Sequence, residues 1–182
     1  MAAPGVWAAP TRYVLDRQAS SVDFIFLLSG QRQRGTMPVL SADIRIDAKN
    51  LTRSRVDVVV DVTSARTGLI FATQAMKGKN VLNAAAFPTI RFASTAIRLG
   101  PGGRLSDGAQ IRGNLTMRGV TRPVVLAAAV YRPPGSRPDE LDQLSVRLTG
   151  VVSRSSFGAS GFPDLVDDPV QLDIRALIRK PD

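Results

Sequence analysis

Apolar and polar residues alternate along most of this chain, so that every second residue is apolar. In residues 111–117 one set of alternate positions holds Ile, Gly, Leu and Met, and the other holds Arg, Asn and Thr. Because successive side chains of a β-strand point to opposite faces, a period of two predicts strands with one apolar and one polar face. The chain is therefore predicted to form an antiparallel sheet with a single core side. The same pattern is found in residues 22–26, 40–46, 56–62, 90–92, 144–152 and 170–178.

Such a sheet has to cover its apolar face and protect its edges, either by packing on a second sheet or by closing on itself. A further apolar run, residues 124–130, predicts another strand and is far too short to span a bilayer. Residues 70–82 depart from the period of two, because their apolar residues fall at roughly helical spacing and predict a short helix ending near Gly78. No linker or internal repeat divides the 182 residues, so one all-β domain with one short helix is predicted.

Histidine and cysteine are both absent from the chain. Without histidine the commonest general base, the Ser-His-Asp arrangement and most zinc and non-haem iron sites are excluded. Without cysteine there are no disulfides, thiolate ligands or cysteine nucleophiles. A hydrolase would have to be built from groups such as Ser153, Ser155, Ser156, Asp167 and Asp168, which lack a histidine partner. We therefore predict no catalytic residues, no metal ligands and no catalytic cofactor, and keep a hydrolase only as a less favoured alternative.

The chain is strongly basic, with 24 Lys and Arg against 15 Asp and Glu and a formal net charge of +9. The arginines are spread over predicted outer strand faces and loops, with few aromatic residues between them. This pattern suits weak attraction to anionic membranes more than binding of nucleic acid. Arg118 and Arg122 lie on either side of Gly119 at the junction of two predicted strands. We predict a hairpin turn at residues 118–122 with two solvated arginines, rather than a phosphate site.

The first twelve residues, MAAPGVWAAPTR, are rich in alanine and proline and lack a periodic pattern. They contain no charged segment followed by a long apolar segment, so a signal peptide is not present in full. We predict that residues 1–12 are a flexible tail or the remnant of an export signal, and that the folded domain occupies residues 13–180.

Segments along the chain, in order, resemble motifs of the YceI-like family of bacterial proteins. YVLDRQASSVDFIF at residues 13–26 is similar to the family's Tyr-x-Ile/Leu-Asp segment followed by Ser-Ser-Val-x-Phe. GNLTMRGVTRPVVL at residues 113–126 is similar to its Gly-x-Leu-Thr-Ile-x-Gly-Val-Thr-x-Pro-Val segment. The resemblance runs from about residue 13 to residue 180 and so covers nearly the whole chain. The other matching segments are RGTM, AAFPTIRFASTAI and SRSSFG, at residues 34–37, 85–97 and 153–158.

The resemblance implies an eight-stranded antiparallel, lipocalin-like barrel with an elongated apolar cavity. It also implies a bacterial periplasmic or secreted protein that binds a long isoprenoid or a related amphipathic lipid, such as a quinone or a polyprenol, and has no catalytic residues. Many members carry histidine where Leu28 and Arg118 stand here. If those histidines meet a polar head group, head-group recognition in this chain must differ.

The apolar wall of such a cavity would come from large side chains on the inner strand faces, the helix and the loops, although each suits a plain core position equally well. The candidate ligand-binding residues are Phe24, Phe26, Phe71, Met76, Phe92, Met117 and Phe157. Small residues on the inner faces would either leave a tunnel or accommodate the taper of a barrel. They are Ala42, Gly113, Ala128, Gly150 and Ala176.

The function predicted from these features is binding of an isoprenoid or related lipid inside the barrel, for carriage, storage or sensing. The alternative is a non-catalytic surface-binding module for anionic membranes or partners. The expected partner is the amphipathic lipid ligand. Weak contact with an anionic membrane surface and a homodimer, formed for example through residues 70–82, are left open, and nucleic acid is not an expected partner.

Overall fold

The structure, a computed structural model, describes residues 9–103 and 107–182. Most of the predicted tail, residues 1–8, lies outside the described residues. Short 3-10 turns follow β4 and β10, at Leu51–Arg53 and Ser155–Phe157. The regular elements among the described residues are β1 (Thr11–Leu15), β2 (Ser21–Leu28), β3 (Gln31–Met37), β4 (Val39–Ile46), β5 (Arg55–Asp61), β6 (Arg66–Thr67), α1 (Ile70–Lys77), β7 (Thr89–Leu99), β8 (Ala109–Met117), β9 (Val120–Tyr131), β10 (Gln143–Ser153) and β11 (Pro169–Arg179).

The strands close into an eight-stranded antiparallel barrel. β1 pairs with β4 on one side and with β11 on the other, and β5, β7, β8, β9 and β10 complete the ring between β4 and β11. β1 and β2 together form one composite strand of the ring, because both pair with β11. β3 and β4 form a second composite strand, because β3 pairs with β2 and β4 pairs with β1. Closure puts the apolar faces of all eight positions inside. The barrel implied by the family resemblance is therefore confirmed.

Both composite strands are interrupted near their middle. On one side of the ladder, Leu15 of β1 and Ser21 of β2 both pair with β11, and residues 16–20 lie between them. Their partners on β11, Ile178 and Arg175, are separated only by residues 176–177. The extra residues form a bulge, in which the Asp16 carboxylate accepts hydrogen bonds from two backbone N–H groups at 3.1 Å each. Pro38, which has no N–H to donate, separates β3 from β4. These breaks let two long strands bend around the barrel.

The two ends of the barrel differ, and we call them the helix end and the closed end. At the closed end Tyr13, Ile44, Leu144 and Ile178 pack into a buried cluster that plugs the interior. The Tyr13 hydroxyl donates a hydrogen bond of 2.7 Å to the Leu141 carbonyl, and burial raises the pKa of this phenol. The segments gathered at the helix end are the turn at residues 29–30, α1, residues 78–88, the turn at residues 118–119 and residues 154–168.

The predicted helix is confirmed, and it runs over α1 (Ile70–Lys77). The backbone N–H of Gly78 donates to the Ala75 carbonyl at 3.1 Å and ends the helix. No residue of α1 is fully buried, because the helix lies over the barrel opening rather than inside the core. Across residues 9–103 and 107–182, no helix combines the length and apolar character needed to span a bilayer.

The hairpin at the β8–β9 junction is tighter than the predicted turn at residues 118–122. Only Arg118 and Gly119 lie outside the strands, and both have left-handed backbone angles, with φ of 54° and 71°. Thr121 and Arg122 already pair with β8. Two-residue turns of this kind need positive φ at both positions, because that twist matches the twist of the strands. Positive φ was predicted for Gly119 from the sequence, but not for Arg118.

Candidate functional site

An apolar cavity of about 320 Å³ lies inside the barrel toward the helix end. It is bounded on its inner side by the middle of the barrel, beyond which side chains fill the interior to the closed end. Because strand residues alternate between inside and outside, every strand of the ring except the β1 and β4 segments supplies side chains to its wall. The apolar strand residues at the wall are Val22, Phe24, Phe26, Leu28, Met37, Val56, Val58, Val60, Ile90, Phe92, Leu115, Met117, Val124, Leu126, Leu148, Val152, Val170, Leu172 and Ile174.

Most of the residues predicted to line a cavity do line it. Phe24 and Phe26 stack on the inner face of β2 with ring centroids 6.0 Å apart. Phe157 is placed differently, because it is 2% exposed in the packed core beside the cavity and is not among the lining residues. The cavity brings together Phe24, Phe26, Phe71, Met76, Phe92 and Met117.

The small inward residues of the sequence do not line the cavity. Gly113 makes room for the ring of Phe92, since a Cβ at that position would overlap the ring. Gly150 is filled by the Leu126 side chain in the same way, and Ala128 belongs to a packed cluster near the middle of the barrel. Small residues in this barrel therefore accommodate neighbouring side chains, and the empty space lies elsewhere.

The cavity is covered at the helix end by α1 and by the segment of residues 159–168. Four residues of α1 face the interior, Phe71, Ala72, Ala75 and Met76. The 159–168 segment is tied down by backbone hydrogen bonds, among them Ser29 N–H to the Leu165 carbonyl and Gly161 N–H to the Asn80 carbonyl, both 2.7 Å. It adds Phe162, Leu165 and Val166 to the lining. This contribution was not predicted from the sequence, because the segment has no apolar period and has the composition of a loop.

Arg154 is the charged group that holds the 159–168 segment in place. Its guanidinium donates to the backbone carbonyls of Ala159 at 2.5 Å, Gly161 at 2.8 Å, Val166 at 2.9 Å and Asp167 at 3.2 Å. The residue is 7% exposed and also borders the cavity. Burial lowers its pKa below the ordinary range for arginine, and nearby Asp168 acts in the opposite direction. The side chain is still charged at neutral pH, and its donors point at the protein backbone rather than at the cavity.

The two arginines of the β8–β9 hairpin were predicted to be solvated; Arg122 is exposed as predicted, whereas Arg118 is only partly exposed. Arg118 donates to the carbonyls of Lys79 and Gly158, and Arg122 donates to the Ser156 carbonyl at 3.2 Å. Arg118 thereby ties the hairpin to segments on both sides of the cavity opening. It stands where the family resemblance implies histidine in many members, and both of its terminal nitrogens donate to backbone carbonyls.

Three of the residues considered for a hydrolase, Ser153, Ser155 and Asp168, form hydrogen bonds with one another. The Asp168 carboxylate accepts hydrogen bonds from the Ser153 hydroxyl at 2.5 Å and from the Ser155 backbone N–H at 2.9 Å. These hydrogen bonds, of which that of Ser153 has the largest effect, lower the pKa of Asp168 and make it a weaker base. Over the described ranges, acidic residues do not gather into any group of three or more that could hold a metal ion.

Comparison with known proteins places the chain in a family. A family model described as the YceI-like domain matches residues 13–177. The chain belongs to the YceI-like family. A UPF0312 protein of Yersinia pestis (strain Pestoides F) is 34% identical over 92 residues, which cover 50% of this chain and 45% of the relative. The protein YceI of Salmonella newport (strain SL254) is 32% identical over 124 residues, covering 66% of this chain and 62% of the relative. The chain thus spans about half to three fifths of the length of these curated relatives.

Solved structures share the YceI-like barrel. BcnA of Burkholderia cenocepacia superposes with a TM-score of 0.78 at 20% identity, covering 90% of this chain and 99% of BcnA. A polyisoprenoid binding domain from Saccharophagus degradans, implicated in plant cell wall breakdown, superposes with a TM-score of 0.67 at 13% identity and covers 94% of this chain and 99% of that domain. At these identities the likeness extends to the fold.

Proposed function

We propose that this YceI-like protein binds the apolar chain of an isoprenoid or a related amphipathic lipid, such as a quinone or a polyprenol, inside its barrel. The observation that carries the proposal is the cavity of about 320 Å³, whose wall is almost entirely aliphatic and aromatic. Pockets for small ligands have volumes of roughly 300–1,000 Å³ and mainly hydrophobic walls. The name of the polyisoprenoid binding domain of Saccharophagus degradans supports the same ligand class.

The volume of the cavity limits how much of a chain it holds. A cavity of about 150 Å³ in another protein accepts benzene, with six carbons. By that measure the 320 Å³ cavity holds about a dozen carbons, or two to three isoprene units. A longer chain has to extend past the opening at the helix end, or it has to move α1 and the 159–168 segment aside. The polar head group then lies outside the apolar interior.

Binding, rather than catalysis, is the activity that these side chains support. The charged residues that border the cavity are Asp23, whose carboxylate pairs with Arg34 at 3.5 Å, and Arg154, whose guanidinium is occupied by four backbone carbonyls. Apolar walls exclude water and hold a chain, but they supply neither a nucleophile nor a proton acceptor. We infer a carrier, store or sensor that works without a catalytic cofactor and, as the family resemblance implies, in the periplasm or outside the cell.

The proposal is tested first by native mass spectrometry and organic extraction of the protein as isolated. A stoichiometric apolar small molecule in the extract identifies the ligand. Two series are then titrated into the emptied protein: straight-chain primary alcohols, which lengthen by one methylene per step, and linear prenyl alcohols, which lengthen by five carbons per step. Each methylene that enters the cavity contributes about 0.8 kcal/mol, so affinity rises nearly fourfold per carbon and flattens at about a dozen carbons.

A variant of α1 tests whether the cavity sets this limit. Ala75 lines the cavity, whereas its neighbour Gln74 is exposed. Ala75→Leu adds three carbons to the wall, so the affinity curve flattens about three carbons earlier, and Gln74→Leu leaves it unchanged. An empty extract together with no binding of any prenyl alcohol or quinone refutes the proposal. If the affinity curve of Ala75→Leu flattens at the same carbon number as that of the unchanged protein, the ligand does not bind in this cavity and the proposed location is refuted.

A further inference from the structure

The cavity opening is surrounded by exposed apolar side chains. Ile70 and Phe71, at the start of α1, are 79% and 64% exposed, and Phe162 and Leu165, on the 159–168 segment, are 45% and 49% exposed. Phe71, Phe162 and Leu165 also line the cavity, so the interior continues outward onto this surface. We call these four residues the apolar rim. Exposed apolar residues grouped at one site, unlike single ones, mark an interaction surface.

The charged residues along α1, beside the apolar rim, are basic. Residues 62–88 contain Arg66, Lys77 and Lys79 and no acidic residue. Arg66 and Lys79 are exposed, and the Lys77 ammonium donates to the Thr63 carbonyl at 2.8 Å while remaining partly accessible. Asp61, just before this window, accepts hydrogen bonds from Thr63 and Ser64. The other acidic residues of this end lie across the opening on the 159–168 segment, as Asp164, Asp167 and Asp168. The α1 side of the opening is therefore apolar at its tip and basic around it.

We propose that the α1 side of the apolar rim docks on the surface of an anionic lipid bilayer. Ile70 and Phe71 enter the boundary between head groups and acyl chains, and Arg66 and Lys79 contact the anionic head groups. Amphipathic helices bind membrane interfaces by this combination of buried apolar area and electrostatic attraction. The docked orientation places the cavity opening against the bilayer, so that an apolar chain passes from one to the other without crossing water.

A bilayer fits this surface better than a second copy of the chain does. Two copies joined through the α1 side, with the two-fold axis passing through that side, would bring Arg66 and Lys79 of one copy close to the same residues of the other. Like charges facing each other across an interface oppose association. An anionic surface instead lowers the electrostatic energy of these groups and of a chain whose net charge is +9.

The docking surface rests on the proposed function for its purpose, but its test needs no ligand. The full chain is mixed with vesicles that contain no isoprenoid, made either of phosphatidylcholine alone or of phosphatidylcholine and phosphatidylglycerol in equal parts. We expect sedimentation with the mixed vesicles and far less with phosphatidylcholine alone. Raising the ionic strength from about 0.1 M to about 1 M shortens the screening length from about 10 Å to about 3 Å and weakens the binding.

Ile70→Ser is the decisive apolar variant, because Ile70 is highly exposed and is not among the residues that line the cavity. We expect it to lower the partition coefficient about tenfold, since an apolar side chain no longer enters the interface. Val14→Ser is the matched control, because Val14 is 47% exposed on β1 near the closed end. Prenyl alcohol binding in solution stays unchanged in both variants, which separates failure of docking from failure of ligand binding.

The basic contribution is tested by the double variant R66Q/K79Q, which we expect to weaken binding to the mixed vesicles roughly fivefold per residue. R98Q/R112Q, on the exposed outer wall toward the closed end, is the control with the same change in net charge. Equal losses in the two double variants, or equal partitioning of Ile70→Ser and Val14→Ser, refute the proposed surface. A concentration-dependent dimer that Ile70→Ser abolishes refutes the bilayer in favour of a second copy.

Discussion

Replacing Arg154 with methionine removes the guanidinium that holds the 159–168 segment and leaves most of the side-chain volume in place. The four backbone carbonyls that accept from it then need other partners. Those of Gly161, Val166 and Asp167 belong to partly accessible or exposed residues, so water replaces the arginine there. Ala159 is 1% exposed, so its carbonyl loses its partner without gaining water.

The cost follows from these differences in burial. One buried carbonyl without a partner costs about 1–3 kcal/mol, and each exchange of a charged hydrogen bond for water costs a fraction of that. The desolvation of the guanidinium, which the variant no longer requires, offsets part of the loss. We expect Arg154→Met to lower the free energy of unfolding by about 2–4 kcal/mol. We also expect the loss of order to be concentrated in the 159–168 segment.

Two measurements check this expectation. Urea unfolding gives the change in free energy, and hydrogen exchange gives its location, because the amides of Leu165 and Val166 both donate to the Phe162 carbonyl in the intact segment. A local loss of 2 kcal/mol speeds exchange of these amides about 30-fold, while the amides of β8 stay protected. Ligand binding weakens as well, because the segment covers the cavity.

Arg147→Met is the matched control. The Arg147 side chain is 53% exposed and pairs with Asp173 at 3.4 Å, and Asp173 keeps Arg34 as a second partner at 2.8 Å, so loss of the Arg147 pair costs about 0–1 kcal/mol. Arg154→Lys recovers only part of the stability, because one ammonium does not reach four carbonyls in different directions. If Arg154→Met costs no more than Arg147→Met and exchange in the 159–168 segment is unchanged, the proposed role of Arg154 is refuted.

Further variants distinguish the roles of the packed core, of the cavity wall and of the hydrogen bonds that Asp168 accepts at the surface. Phe157→Ala lowers the free energy of unfolding by about 3–5 kcal/mol, because it opens a void in the packed core. Phe92→Ala lowers it by about 1–2 kcal/mol and chiefly weakens ligand binding, since the Phe92 ring already borders empty space. Chemical unfolding and ligand titration, measured on both variants, distinguish the two roles. Gly113→Ala pushes the Phe92 ring toward the cavity, so thermal unfolding and ligand titration both show a loss, of about 1–3 kcal/mol in stability; unchanged titration contradicts this. Asp168→Asn flattens the fall of stability below about pH 4, because the lowered pKa of Asp168 gives stability that is present above its ordinary value of 3.8 and is lost as pH falls through the folded-state pKa; acid unfolding curves that coincide would contradict it.

The inward faces of the strands were predictable because the information for them is local. Alternation fixes which side chains of a strand face inward, but two packed sheets satisfy these faces as well as a closed barrel does, and the barrel was implied by the family resemblance. The inward positions of Val58 and Leu115, for example, follow from parity alone and agree with the cavity wall. The helix was predictable for the same reason, since residues 70–77 break the period of two and Gly78 ends the run.

Sequence reasoning failed where position depends on residues far apart in the chain. Phe92 and Phe157 look alike in sequence, and only the packing of the strands, α1 and the loops around them makes one a wall residue and the other a core residue. The arginines show the same limit. Arg118 and Arg154 lie among loop and strand-end residues where solvation is the default expectation, yet the carbonyls that they contact come from segments brought to the helix end by closure of the barrel.

The sequence by itself determined most of the strands with their inward faces, the short helix and the absence of histidine and cysteine, because each of these is a property of single residues or of neighbours along the chain. β1, β3 and β6 were not predicted from the alternation. Tertiary structure decided where the interior stays empty. The closed end is filled by Tyr13 and its neighbours, whereas the helix end is covered by α1 and the 159–168 segment and keeps a cavity of about 320 Å³. A void depends on the summed shapes of side chains from every strand, and this sum exists only once the barrel has closed.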